Sequence, residues 1–177
     1  HVIVATGVTP RMPDIDGADG ANVLTYIEAL TDAKPVGKRV AIIGSGGIGF
    51  DVAEYLTSPH GQQPVQIDRF LDHWGIDRNH ETAGGMGTPV RAAPDRSVVM
   101  LQRTDSRPGK SLGLTTGWVV RAELKSRGVR NITGATYRRI DAEGLHIEVR
   151  GEEMLIEADS VIVCAGQESE NHLYADL

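Results

Sequence analysis

Apolar residues in this chain come mostly in short unbroken runs. Val40–Ile43 within Arg39–Ile43 (RVAII), Val98–Leu101 (VVML) and the Val-Ile-Val runs at 2–4 and 161–163 are apolar at consecutive positions. A β-branched run of this length reads as a strand buried on both faces, as in a parallel sheet covered on each side. Helical spacing appears elsewhere. Ile48, Val52, Tyr55 and Leu56 share one face and predict a helix over 48–56. A second helix is predicted over 116–127, with Trp118 or Val119, Ala122 and Leu124 apolar and Gly128 as its stop. Tyr26–Thr31 has room for one or two helical turns, Val23–Thr25 reads as a short extended piece, and Val129–Ile132 as a short strand. From 136 to 157 the pattern changes to alternation: Leu145-His146-Ile147-Glu148-Val149, a turn at Arg150-Gly151-Glu152, then Met154, Leu155 and Ile156. That is an antiparallel meander. Pro10–Asn22 is a turn-rich crossing, and 58–97 is the least regular stretch.

Between the strand RVAII and the 48–56 helix lies Gly44-Ser45-Gly46-Gly47-Ile48-Gly49, a G-x-G-x-x-G. Glycines are common in this chain, but a strand before the motif and a helix after it are the context in which it binds a dinucleotide. Gly44 permits the tight turn, Gly46 lets a pyrophosphate lie against the backbone, and Gly49 lets helix and strand pack closely. The unsatisfied N–H groups of the first helical turn favour that anion, and Ser45 offers a hydroxyl to a phosphate oxygen. The predicted fold class is therefore α/β: a Rossmann-like three-layer nucleotide-binding domain with a β-meander, its parallel sheet built from 39–43, 98–102, 129–132 and 161–164.

The tip of the second strand chooses the dinucleotide: an acid there takes the ribose 2′-OH of NAD, and a base accommodates the 2′-phosphate of NADP. Asp68, after Pro64-Val65-Gln66-Ile67, has nearly the right spacing for NAD. However, Ile67, Phe70, Leu71 and Trp74 recur at helical intervals. The better second strand is SVVMLQR, ending in Arg103, with Arg107 and Lys110 close behind. A guanidinium fork pairs with a phosphate dianion. NADPH is the expected cofactor, held by Gly44–Gly49, Arg103, Arg107 and Lys110.

Composition narrows the alternatives. Lys plus Arg is 18 and Asp plus Glu 24, a net charge of −6, which disfavours sequence-independent nucleic-acid binding. No apolar run approaches the ~18 residues of a membrane span, and a cytoplasmic location is expected. One cysteine, Cys164, excludes an internal disulfide or a four-thiolate cluster within this chain. It reads as a small buried hydrophobe. With aromatics at 5 %, the core must be aliphatic; Trp74 and Trp118 read as core or lobe-interface residues. The six histidines show no metal-ligand spacing, so no metal site is expected, and His146 on a polar strand phase reads as exposed or locally hydrogen-bonded. The first residue is His inside an apolar run, as expected of a piece of a longer protein.

Three segments, RVAIIGSGGIGFDVAEYL, VVMLQRTDSRPGKSLGLTTGW and VIVCAGQE, with WGID at 74–77 and SRGV at 126–129, resemble the bacterial NADPH-dependent 2,4-dienoyl-CoA reductases, relatives of old-yellow-enzyme-like flavoproteins. The resemblance runs over nearly the whole chain. It implies a parent with an FMN barrel, a 4Fe–4S cluster and an FAD domain in which an NADPH domain is inserted. It implies electron flow from NADPH through FAD, cluster and FMN to an unsaturated fatty acyl-CoA. On this pattern 1–10 and 160–177 contribute strands to the FAD domain, with Ala165 and Gly166 at the flavin boundary, and 23–159 forms the NAD(P)H domain with an irregular insertion at 58–97. The partners would be the remaining FAD and FMN-barrel domains. The chain holds neither the barrel, which takes roughly 250 residues, nor the barrel's tyrosine and histidine, so it carries no catalytic residue of its own. Thr104 and Leu114 stand where the family can carry Lys. An NADH-using amine-dehydrogenase-like domain and a non-catalytic structural domain are the alternatives.

Overall fold

A computed structural model describes residues 2–58 and 66–177. The elements, in order, are β1 (Val8–Pro10), β2 (Val23–Thr25), α1 (Tyr26–Leu30), β3 (Arg39–Ile43), α2 (Gly47–Thr57), α3 (Ile67–Trp74), β4 (Ser97–Leu101), α4 (Gly117–Ser126), β5 (Arg130–Ile132), β6 (Ala135–Asp141), β7 (Gly144–Val149), β8 (Glu152–Glu157), β9 (Ser160–Val163), β10 (Gln167–Ser169) and α5 (His172–Asp176). They divide into two compact units, residues 1–57 with 96–177, and residues 58–95.

In the larger unit five parallel strands lie in the order β2-β9-β3-β4-β5. The consecutive apolar runs are explained by burial of both faces. Leu24, Val40, Ile42, Val98, Met100 and Ile162 point to one side, where Phe50, Val52, Ala53 and Leu56 of α2 and Leu124 of α4 meet them. Val23, Ala41, Ile43, Val99, Leu101, Val161 and Val163 point to the other, against Ile140, Leu145, Ile147 and Ile156 of the antiparallel β6-β7-β8 meander. Helices, sheet and meander are the three expected layers. Each aliphatic side chain buried here contributes about 1.5–3 kcal/mol. α1 starts on a capping box: Glu28 N–H donates to Thr25 Oγ1, and Glu28 Oε2 accepts from Thr25 N–H.

The two Val-Ile-Val runs do not share a sheet. Residues 161–163 lie inside β9, which hydrogen-bonds β2 and β3 in the central sheet of the larger unit. Residues 2–4 form no strand, and Val2 and Ile3 are 76 % and 90 % exposed. A β-branched run becomes a strand only where a neighbour completes its ladder. What pairs instead are the short strands after each run, β1 with β10, antiparallel from Val8↔Ser169 to Pro10↔Gln167.

Of the two readings of Trp118, core and lobe interface, its 61 % exposure removes the first. The inner face of α4 is set by Gly117, Val120 and Leu124, at i, i+3 and i+7, and Trp118 lies one position off that stripe. Ala122 is also exposed, while Glu123 turns inward and pairs with Arg127 at 2.6 Å.

In the smaller unit, the helical spacing at Ile67, Phe70, Leu71 and Trp74 becomes α3. A bridge between Ile76 and Met86 closes the loop after it. Asp77 accepts from the backbone N–H groups of Asn79 and Thr82 and from the Thr82 hydroxyl, which together hold its carboxyl below its usual range. Pro64 and Val65 of the competing second strand, and His60, lie outside the described residues. Among the described residues no helix is long and apolar enough to cross a membrane.

Asp159 ties the β8–β9 connection to the start of β3. It accepts from the backbone N–H groups of Lys38 (3.1 Å) and Arg39 (2.8 Å) and from the Arg39 guanidinium at 2.6 Å. The Arg39 hydrogen bond is the main cause that holds its carboxyl below the usual range. A depressed folded-state pKa contributes stability above the unfolded value and loses it as pH falls through the folded one. Asp159→Asn is therefore expected to melt below the wild type at pH 7. The gap should close as pH falls below about 4, which melting curves across a pH series would show.

Candidate functional site

Every strand of the parallel sheet ends, at its carboxyl edge, on the same side, and crevices for ligands form there. β3 runs into Gly44, whose N–H donates to Leu101 O at 2.8 Å, while Cys164 N–H donates to Ile43 O at 2.8 Å. Three strand ends are thus laced together beneath the glycine loop. The approach is close enough to dictate glycine twice. A Cβ on Gly44, whose φ is +117°, would lie 2.4 Å from Cys164 O, and one on Gly49 would lie 2.1 Å from Gly44 O.

Gly46 and Gly47 differ. A Cβ on either would meet nothing within 4 Å. The protein's own packing does not require glycine there; Gly46 borders open space. That space is a cleft of about 550 Å³. It is lined by Gly44, Ser45, Gly46 and Ala165 together with Arg103, Arg107 and Lys110. The cradle therefore fits a diphosphate: bare backbone at Gly46, the N-terminus of the 11-residue α2 with no acidic side chain in its first turn, and an orphaned donor. That donor is the hydroxyl of Ser45, buried at 6 % exposure, which has no hydrogen-bond partner.

None of Arg103, Arg107 and Lys110 forms an ion pair among the described residues. The second strand ends in Gln102, an amide and not an acid, whose Nε2 donates to the carbonyls of Thr104 (2.9 Å) and Ser106. The opening thus presents uncompensated positive charge within a chain of net charge −6.

Seven of the eleven residues singled out from the sequence line this cleft: Gly44, Ser45, Gly46, Arg103, Arg107, Lys110 and Ala165. Gly47, Ile48, Gly49 and Gly166 do not. Ile48 packs on the helix-side core, and Gly49 is the contact between helix and strand. Gly166 accepts from Arg11 N–H at 3.1 Å and leads into β10. Sequence reasoning missed Gln102, Ser106 and Tyr137. Tyr137 comes from the meander, and burial pushes its phenol up to about 12 despite the opposing charge of Arg103. No spacing rule connects a meander residue to a glycine loop some ninety positions earlier, so only the fold brings it there.

Cys164 is buried, and desolvation pushes its thiol up to about 12. As the only cysteine in this sequence it has no second thiol within the chain to pair with. His146 Nε2 lies 2.7 Å from Asp141 Oδ2, the local partner expected for it. Asp141, Glu143 and His146 stand close enough to one another to share an ion, a grouping the sequence reading did not anticipate. Arg139 pairs with the same Asp141 oxygen.

The fold and cleft define a nucleotide-binding domain of the flavoprotein oxidoreductase type. The chain belongs to the pyridine nucleotide-disulphide oxidoreductase family, whose model matches residues 1–177. It is 27 % identical to a metal reductase of Desulforamulus reducens over 177 residues, covering all of this chain and 25 % of that protein. It is 30 % identical to a mercuric reductase of Staphylococcus aureus over 169 residues, 93 % of this chain and 24 % of the other. A cinnamate reductase of Clostridium sporogenes is 26 % identical over the full chain and 21 % of its own length. The chain thus spans about a quarter of the curated relatives it matches. Among solved structures, a 2-naphthoyl-CoA reductase complex superposes with a TM-score of 0.71 at 20 % identity, over 97 % of this chain and 21 % of the other. An engineered water-forming NADPH oxidase bound to NADPH gives 0.56 at 21 % identity, over 97 % and 31 %. These likenesses share the fold; the relatives reduce more kinds of acceptor than the dienoyl-CoA resemblance implies.

Two substitutions separate packing from binding. Gly49→Ala drives a Cβ into a backbone oxygen and is expected to cost about 1–3 kcal/mol or more, seen as a lowered Tm. Gly46→Ala is expected to leave Tm unchanged while weakening dinucleotide binding at least about tenfold, measured by calorimetric titration. Cys164 should resist thiol-specific reagents at pH 8 in the native protein and react at once in denaturant.

Proposed function

We propose that this chain is the NADPH-binding domain of a flavin-dependent reductase, and that its parent reduces an unsaturated acyl-CoA such as a 2,4-dienoyl-CoA. One observation carries the cofactor reading: three cations without an ion-pair partner among the described residues line one cleft with a glycine loop whose buried serine hydroxyl has no partner there. A diphosphate on the Gly44–Gly49 side leaves the adenosine ribose toward Arg103, where a 2′-phosphate meets the guanidinium groups. An NADH site would place a carboxylate at the end of β4; Gln102 stands there. The engineered oxidase offers a parallel, since its substitutions remove an aspartate and add two arginines in a protein bound to NADPH.

In this reading the chain's residues supply binding and orientation. Ser45 and the first turn of α2 fix the diphosphate, Arg103, Arg107 and Lys110 fix the ribose phosphate, and Ala165 and Gly166 stand where a flavin-bearing domain would meet the cleft. The dinucleotide, when bound, supplies a hydride to that flavin. FAD at the domain boundary, and FMN with a 4Fe–4S cluster further along the parent, complete the proposal, with the FAD and FMN-barrel domains as partners. The acyl-CoA substrate rests on the sequence segments VVMLQRTDSRPGKSLGLTTGW and VIVCAGQE, and is supported by likeness to a 2-naphthoyl-CoA reductase and a cinnamate reductase.

The test uses the protein that contains this chain. NADPH is expected to bind more tightly than NADH. The double variant Arg103→Ala, Arg107→Ala should lose at least about 100-fold in NADPH affinity, since two charged hydrogen bonds at about 1.5 kcal/mol or more each sum to about 3 kcal/mol or more, with NADH little changed. Equal affinities in the wild type would remove the role given to these arginines. NADPH oxidation on adding 2,4-dienoyl-CoA, and not on adding Hg²⁺, supports the acyl-CoA substrate; the reverse refutes it.

A further inference from the structure

The cationic wall of the cleft works against itself. Arg103, Arg107 and Lys110 lie within a few residues of one another and repel. The acid among them, Asp105, is engaged elsewhere: it accepts from Thr133 Oγ1 at 2.8 Å and lies 4.0 Å from Arg150. The wall is nonetheless held at both ends. Gln102 gathers its start through the carbonyls of Thr104 and Ser106. At its far end Gly109 is bonded on two sides. Its N–H donates to Ser45 O at 3.1 Å, and its carbonyl accepts from Arg121 Nη1 of α4 at 3.2 Å.

Gly109 is closely confined. A Cβ there would come within 2.6 Å of Leu112 Cδ1 and 2.9 Å of Phe50 Cζ. Arg121 reaches it past Gly117, where a Cβ would lie 3.2 Å from Nη1. Arg121 Nε is buried and has no hydrogen-bond partner among the described residues, an arrangement that costs stability. The guanidinium nonetheless grips, through Nη1, the residue whose N–H joins the cationic wall to the glycine loop.

We infer that Arg121 is a positioning residue for dinucleotide selection: through Gly109 it fixes the cationic wall relative to Ser45, so that a dinucleotide with a phosphate on its adenosine ribose spans the two. Arg121 does not line the cleft and does not touch the ligand. The inference rests on the NADPH reading above. NADH, bound by the glycine loop without using the wall, depends little on it.

The experiment measures Kd for NADPH and NADH in the protein containing this chain, for wild type, Arg121→Met, Arg121→Lys and Arg103→Ala. Hydrogen exchange at the Gly109 amide is followed in parallel. Arg121→Met is expected to weaken NADPH about tenfold, leave NADH within about twofold, and speed exchange at Gly109. Arg121→Lys keeps a donor and should give an intermediate preference that tracks Gly109 protection. If Arg103→Ala abolishes the preference but Arg121→Met weakens both dinucleotides equally or neither, this inference falls and the NADPH reading stands. If the wild type binds NADPH and NADH equally, the NADPH reading fails and takes this inference with it. Should Arg121→Met not fold, the Lys variant decides: full preference with Gly109 protection lost overturns the inference.

Discussion

The structure depends on how closely the backbone of the first βα turn approaches its neighbours. Gly44 lies against the Cys164 carbonyl and Gly49 against the Gly44 carbonyl, at separations that leave no room for a side chain. This contact seats the start of α2 over the carboxyl ends of β3, β4 and β9. The direction of the helix axis, and hence of its partial positive end, follows from it. Without it the bare backbone of Gly46 and the hydroxyl of Ser45 would have no common orientation.

The chemistry of the cleft divides between its two walls. One offers backbone N–H groups and a hydroxyl, suited to an anion that needs many short hydrogen bonds but little formal charge. The other offers side-chain cations, suited to a dianion that needs charge. The two are bonded through a single glycine amide. Selectivity in such an arrangement comes from span as well as from charge, because a ligand must satisfy both walls at once.

Much of this was legible in the sequence, for physical reasons. β3, β4 and β9 are apolar at every position after the first because both of their faces are buried there, and that pattern needs no partner to be read. The glycine loop was legible because sterics there allow no other residue at two positions. The Val-Ile-Val run at 2–4 looked equivalent to that at 161–163 because local sequence carries no record of ladder partners; only β9 has them. Trp118 misled for a related reason: with a glycine on the inner stripe of α4, the large neighbour drew the assignment. Tyr137 and Gly109 were invisible, since each reaches the site through long-range contacts.

The excursion between α2 and β4 has one more consequence. β3 and β4 are paired directly from Arg39↔Ser97 to Ile43↔Leu101, so the sheet closes across the gap whatever chain fills it. The entropy of joining two fixed points grows only with the logarithm of the tether, by about 0.6 kcal/mol for each doubling. Such a tether is cheap to lengthen and cheap to rewrite, which makes residues 58–95 the part of the larger design where new surface can accumulate while the nucleotide cradle stays as it is.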